Sequence, residues 1–256
     1  MKKITIFLVL LSILTVFVFA ADDDDMLGLD VGAEVTFGDV ADEVIFGVGP
    51  VLRYENSFEN LDIYAKLKHI FNFDDPLLQA TYLEGEVTYN FEAGPGVFSI
   101  IGWTVNDIYM QDGESAYTGF FEPSVKYAQE FDFGTLFVQP GFSVWYEKDI
   151  DDNNYNLSVN LGYYNKGFGA ELKGWYNIDP VEDLWMYELF LNYEAGPVYV
   201  ELDIYTDKEF NSFDLFPYIE CSITKTVALW LGINFENVAG EGDTKVTPYI
   251  GAFYRF

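Results

Sequence analysis

The chain has 256 residues, 42 of them acidic against 13 basic, and a formal net charge of −29. That balance excludes a nucleic-acid reader, which needs a basic face. Half of the residues are nonetheless apolar and 19% aromatic, which also excludes the acidic disordered class and leaves abundant surface to bury.

Two lysines, Lys2 and Lys3, precede an uncharged apolar run over residues 4–19, and Val18 and Ala20 occupy the positions that a signal peptidase inspects. Residues 1–20 are therefore expected to be a cleaved secretory signal. A retained anchor fits less well, because the run is short and Asp22–Asp25 follow at once. Losing Lys2 and Lys3 with the signal takes the charge from −29 to −31. Residues 21–26 then form an acidic N-terminal tail and residues 27–256 the folded part. With Cys221 as the sole cysteine, neither a lipoprotein anchor nor a disulfide framework is available. Beyond the signal no apolar run approaches the ~20 residues that a helix needs to cross a bilayer, so a membrane crossing would have to be a closed β-barrel.

From residue 27 onward, segments of about ten alternating residues recur between Gly, Asn, Asp and Pro punctuation, the pattern of strands and turns. Fourteen are legible. Outgoing strands are expected at 27–37, 61–70, 97–106, 135–146, 168–177, 198–206 and 227–236. Returning strands are expected at 44–55, 80–91, 116–128, 155–164, 184–193, 213–223 and 244–256. An even number puts both termini on one side. Twelve strands, with one weak pair lost, is the alternative.

Connections alternate between a short set (56–60, 92–96, 129–134, 165–167, 194–197, 224–226) and a longer one richer in acids (38–43, 71–79, 107–115, 147–154, 178–183, 207–212, 237–243). Outer-membrane barrels have this asymmetry between inner turns and outer loops. Asn90-Phe91-Glu92-Ala93-Gly94-Pro95 recurs as Asn192-Tyr193-Glu194-Ala195-Gly196-Pro197, both copies at short turns. Pro50, Pro123, Pro217 and Pro248 share an apolar-x-Pro-x-apolar frame on returning strands. Because proline removes a ladder donor, each is expected in the outer part of its strand, at a bulge. The apolar parity of the returning strands ends at Tyr54, Phe91, Tyr127, Tyr163, Tyr193 and Tyr254/Phe256. Such a row suits an aromatic girdle at the inner interface; Ile223 breaks the series.

The last strand, residues 244–256, sets Gly251, Tyr254 and Phe256 in a Gly-x-x-aromatic-x-aromatic frame at the terminus. This resembles the terminal recognition strand of bacterial outer-membrane β-barrel proteins, and the strand count and short turns resemble the small monomeric fourteen-stranded porins. The resemblance implies an all-β, up-and-down antiparallel barrel in the outer membrane, in contact with its lipid. It also implies assembly by the barrel-assembly machinery, a monomeric state and passage of small solutes or ions. It brings no substrate-specific residue with it.

The inward parity carries Asp30, Glu34, Arg53, Lys66, Lys68, Glu84, Glu86, Glu122, Lys126, Glu171, Lys173, Glu188, Glu201, Asp203, Glu220, Lys245 and Arg255, with Asn156, Ser158 and Asn160 among the neutral groups. Buried in a dry core these would each need a partner; in a wet lumen they are at home. Lys66 and Lys68 are expected to face Glu84 and Glu86 across a strand pair, and Lys126 to lie beside Glu122. Acids outnumber bases on this wall, which favours cations over anions. Trp145, Trp175, Trp230, Tyr64, Tyr205 and Tyr218 also point inward, enough to narrow the channel or stack a sugar-like solute. Fourteen strands lie between the eight that side chains fill and the sixteen to eighteen that leave an open channel. A structural or adhesive barrel with an occluded lumen and acidic surface loops is therefore the rival to a diffusion channel.

An enzyme is not expected. His69, the sole histidine, falls near Asp74 and Asp75 at the outer rim, where some barrels keep hydrolytic sites. It lies on the lipid parity, however, and no serine elbow accompanies it. None of the acidic loops has Asp-x-Asp-x-Asp-Gly spacing, so neither metal nor cofactor is called for.

Overall fold

The computed structural model describes residues 28–40, 43–72, 79–111, 114–147, 154–178, 187–240 and 243–256. The expected signal (1–20), acidic tail (21–26), Asp74, Asp75 and residues 184–186 lie outside them.

Period-two alternation of β-branched and aromatic residues folds, as it should, into strands and hairpins. The fourteen strands are β1 (Leu29–Val40), β2 (Glu43–Phe58), β3 (Leu61–Asn72), β4 (Gln79–Ala93), β5 (Gly96–Gln111), β6 (Glu114–Phe131), β7 (Gly134–Glu147), β8 (Asn154–Asn165), β9 (Phe168–Asn177), β10 (Tyr187–Ala195), β11 (Val198–Thr206), β12 (Phe213–Ser222), β13 (Val227–Val238) and β14 (Lys245–Arg255). Each pairs antiparallel with its sequence neighbours, and β14 pairs with β1 from Asp30↔Arg255 to Thr36↔Tyr249. The wall is thus a closed barrel, as expected.

Five of the six short connections are two-residue turns, and the β12–β13 connection is longer, closed by the Ile223 N–H donating to the Val227 carbonyl at 2.8 Å. Phe58 pairs with Leu61, Ala93 with Gly96, Phe131 with Gly134, Asn165 with Phe168 and Ala195 with Val198. In the repeated segment Gly94 and Gly196 have φ of 66° and 59° and each precedes proline. A positive φ followed by proline's fixed φ matches the type II′ hairpin turn. At the other end the strands run further than the sequence suggests. Residues 107–111 continue β5 and pair with 114–118, where a loop over 107–115 was expected.

Outward side chains form an apolar belt: Ile100 is 55% exposed, Leu161 52% and Leu172 54%. Tyr54, Phe91, Tyr127, Tyr163, Tyr193 and Tyr254 sit at its inner end. Several meet across strands, with Phe91 stacked on Phe98 at 5.7 Å and Phe98 tilted against Tyr127 at 4.8 Å. Phe256 departs from the row. It lies past the end of β14, its N–H donates to the Leu29 carbonyl at 2.9 Å, and its ring is buried against Tyr254 at 4.7 Å instead of facing lipid.

The four prolines correct a second expectation. Pro50, Pro123 and Pro217 lie near the middle of their strands and only Pro248 is in the outer part. Each pairs in register on one flank, with Ala33, Gly102, Leu202 and Ile233 respectively. On the other flank, toward β3, β7, β13 and β1, the pairing skips or stops short of the proline without shifting register there. The missing N–H faces that flank, so the ladder loses a bond and no bulge is needed. The register shift in the β12–β13 pair falls between Phe213 and Leu215, not at Pro217.

Gly251 has a packing role in closure. A Cβ there would overlap the Trp230 ring and the Ala33 carbonyl. The indole covers this gap, stacks on Phe253 at 4.0 Å and donates from Nε1 to Glu34 at 3.2 Å, tying β13, β14 and β1 together. Replacing Gly251 with Val should overpack this contact and cost about 1–3 kcal/mol. The expected outcome is a lower urea midpoint for the refolded barrel and a weaker heat-modifiable band on gels.

Candidate functional site

The inner wall is charged, and its partners are chosen across the lumen more than across single strand pairs. Around β1, β2, β12 and β14 four side chains form one network. Arg53 donates from Nε to Asp30 at 3.0 Å and from Nη1 to Glu220 at 3.0 Å. Arg255 also pairs with Glu220, and lies 3.6 Å from Asp30. Tyr218 donates to Glu220 at 2.8 Å, and the Arg53 guanidinium lies over the Phe253 ring at 4.5 Å. Two carboxylates shared by two arginines satisfy the fork geometry of both cations.

Lys68 reaches past β2 to Glu34 on β1 and lies over Tyr249 at 5.2 Å. Although Lys66 stands opposite Glu84, as expected, the Glu84 carboxylate accepts from Tyr82 at 2.8 Å and Tyr64 at 3.4 Å, and the Lys66 ammonium lies over the Tyr82 ring at 5.6 Å. Glu86 stands opposite Tyr64 and accepts from Thr88 at 2.9 Å. The expected facing of Lys68 with Glu84 and Glu86 is thus corrected. Long side chains on this wall turn to partners beyond the residue directly opposite. Lys126 likewise lies over Phe137 at 5.5 Å, and its expected neighbour Glu122 is taken by Lys173 at 2.7 Å.

That last pair spans two strands, from β9 to β6, above an inner wall of small residues. Lys173 sits among three rings, 4.9 Å from Trp103, 5.7 Å from Phe120 and 4.9 Å from Trp175. Trp103 packs on Phe120 at 4.9 Å and Phe120 on Trp145 at 4.6 Å, which carries an aromatic belt across β5, β6 and β7. Trp103 and Phe120 were not singled out from sequence. β5 is apolar on both parities around Ile100, Ile101 and Gly102, so alternation does not pick its inner face.

Of the remaining residues on the expected inward parity, Glu171 accepts from Asn160 at 2.6 Å and Glu201 from Tyr199 at 2.7 Å, while Glu188, Asp203 and Lys245 lie on β10, β11 and β14. Cavities of about 390 and 340 Å³ open at the inner end, beside Tyr164 and Tyr199 and beside Asp62 and Glu86. His69 lies on the outer wall at the level expected. Its Nδ1 is 2.7 Å from Thr81 Oγ1 and its ring packs edge-on to Phe71 at 4.4 Å.

Exchanging Glu220 for Gln should leave two arginines short of charge. The cost is about 2 kcal/mol, below the full value for a dry pair because both arginines keep about a fifth of their side-chain surface open. Equilibrium unfolding in detergent, followed by tryptophan fluorescence, measures it.

No protein-family model matches the chain, and no curated protein matches it. Among solved structures it is similar to an active-site mutant of the Escherichia coli outer membrane phospholipase A, at 13% identity over 92% of each chain with a TM-score of 0.57. It is also similar to the Salmonella typhi outer membrane phospholipase dimer with bound calcium, at 14% identity over 69% of this chain and 78% of that one, TM-score 0.54. A mutant porin of Rh. blastica aligns at 10% identity over 89% of this chain and 99% of that one, TM-score 0.42. At these identities the phospholipases share the barrel fold. With its closed wall, apolar outer belt and inner aromatic rim, the chain is an outer-membrane β-barrel.

Proposed function

We propose that the protein is a narrow, porin-like channel for passive diffusion of small polar solutes or ions, with a weak preference for cations. It is exported by residues 1–20, inserted by the barrel-assembly machinery through Gly251, Tyr254 and Phe256, and works as a monomer without catalysis. The observation that carries this reading is the charge of the inner wall after its ion pairs are counted. Arg53, Lys68, Lys173 and Arg255 are matched by Asp30, Glu34, Glu122 and Glu220. Of the other residues placed on the lining, Glu84, Glu86, Glu171, Glu188, Glu201 and Asp203 are acids, whereas Lys66 and Lys126 are bases. Confined between low-dielectric walls, that excess attracts cations.

The belt around Lys173 favours a second reading, a structural or adhesive barrel with a blocked lumen, because Glu122, Phe120 and Trp175 are all buried. Planar-bilayer recording separates the two. A channel gives discrete steps and, under a KCl gradient, a reversal potential of the sign set by potassium permeation. Changing Glu84 and Glu201 together to Gln should move that potential toward zero. A silent bilayer from a folded, heat-modifiable protein would instead establish the blocked barrel.

A further inference from the structure

Glycines on the inner wall let aromatic rings stand close against the backbone. A Cβ at Gly32, Gly162, Gly169 or Gly232 would run into the ring of Phe253, Phe137, Tyr164 or Tyr249 respectively. Three of these four rings carry a cation. Arg53 lies over Phe253 at 4.5 Å, Lys68 over Tyr249 at 5.2 Å and Lys126 over Phe137 at 5.5 Å. The negative face of the ring is what holds each cation there. Trp230, seated in the same way over Gly251, is covered by Phe253 instead.

Tyr164 is the fourth ring. Among the described residues no lysine or arginine lies over it, and it is 37% exposed where Phe137 is 7% and Phe253 4%. It stacks beside Phe137 at 5.7 Å, and its hydroxyl donates to Glu171. What it borders is the inner-end cavity of about 390 Å³, a size suited to a small ligand. Of the charged side chains lining that cavity, Glu130 and Glu194 are acids and Lys166, on the β8–β9 turn, is a base. One negative charge is therefore left in excess beside an open ring.

We propose that this cavity binds an organic ammonium group, placed on the Tyr164 ring as Lys126 is placed on Phe137, with Glu130 and Glu194 supplying the counter-charge. The chemistry selects that class. An aromatic face attracts positive charge and repels an anion, and an alkylammonium adds apolar carbon that packs on the ring. Among the described residues no three His, Cys, Asp or Glu side chains cluster as a metal ion would require, which separates this site from a divalent-cation site. Because the cavity opens at the inner end, it is reached from that side whether or not ions cross the lumen.

The test uses n-butylammonium chloride, whose chain and head group are those of a lysine. Titrated into the full protein in octyl-glucoside micelles and followed by calorimetry, it should give a saturable signal. n-Butanol and sodium butyrate, of the same length but neutral and anionic, should give none. Tyr164→Leu should weaken butylammonium binding about fivefold, as expected for one part-exposed cation–π contact, whereas Tyr164→Phe keeps the ring and should stay within about twofold of the parent. Glu130→Gln combined with Glu194→Gln leaves the ring in place and should weaken binding more at low than at high salt. No saturable response in the parent protein, equal binding of n-butanol, or unchanged affinity in either Tyr164→Leu or the two-glutamate variant overturns the site. Because the two-glutamate variant alters only exposed side chains, it decides the matter even where Tyr164→Leu fails to fold. A silent bilayer beside saturable binding would sink the channel reading and leave the site standing; conductance without butylammonium binding does the reverse.

Discussion

Every feature of this molecule depends on the rule that a backbone in lipid has no water to bond with, so each strand must be paired on both sides. The β1–β14 pairing is where that rule is met at greatest sequence distance. Seven residue pairs close it, and Trp230, packed over Gly251 and bonded to Glu34, buttresses it from within. Gly251 thereby has a physical reason to be glycine apart from any recognition of the terminal strand. Phe256 is likewise held by the Leu29 carbonyl, which fixes the carboxy-terminus to the first strand.

Once the outer face is committed to lipid, charge has only the lumen to occupy, and the lumen's width decides how it is neutralised. Arginines settle into a shared two-carboxylate network, whereas lysines combine one carboxylate with aromatic faces. Guanidinium forks suit the first arrangement and a compact ammonium on a flexible stem the second. Tyrosines act as intermediaries, giving hydrogen bonds to Glu84, Glu201 and Glu220 that lysines leave to them. Charge compensation and narrowing of the passage are therefore carried by the same side chains.

Strand number, order and closure were legible because alternation and turn chemistry are local signals. The outer ends of β5 and β6 were not. Above the bilayer a strand need not present apolar side chains, so Asp107 and Thr118 pair where the alternation has already faded. Inward parity named a set of residues for one wall but not whom they meet: Lys68 passes over β2 to Glu34, and Lys173 passes over two strands to Glu122. The second choice follows from the small residues between, Gly141, Ser143 and Ser158, over which the Lys173 side chain reaches. Proline depth was misjudged because a single missing donor can be directed to one flank, so the middle of a strand tolerates it.

The four prolines have a mechanical consequence. Their unbonded flanks fall between β2 and β3, β6 and β7, β12 and β13, and β14 and β1, which divides the wall into panels of four, six, two and two strands. Panels stiffened by full ladders and joined along weaker lines deform at the joins. The cross-section can thus become more or less oval while every strand keeps its neighbours, and a passage lined by bulky rings changes calibre through its wall as well as through its side chains.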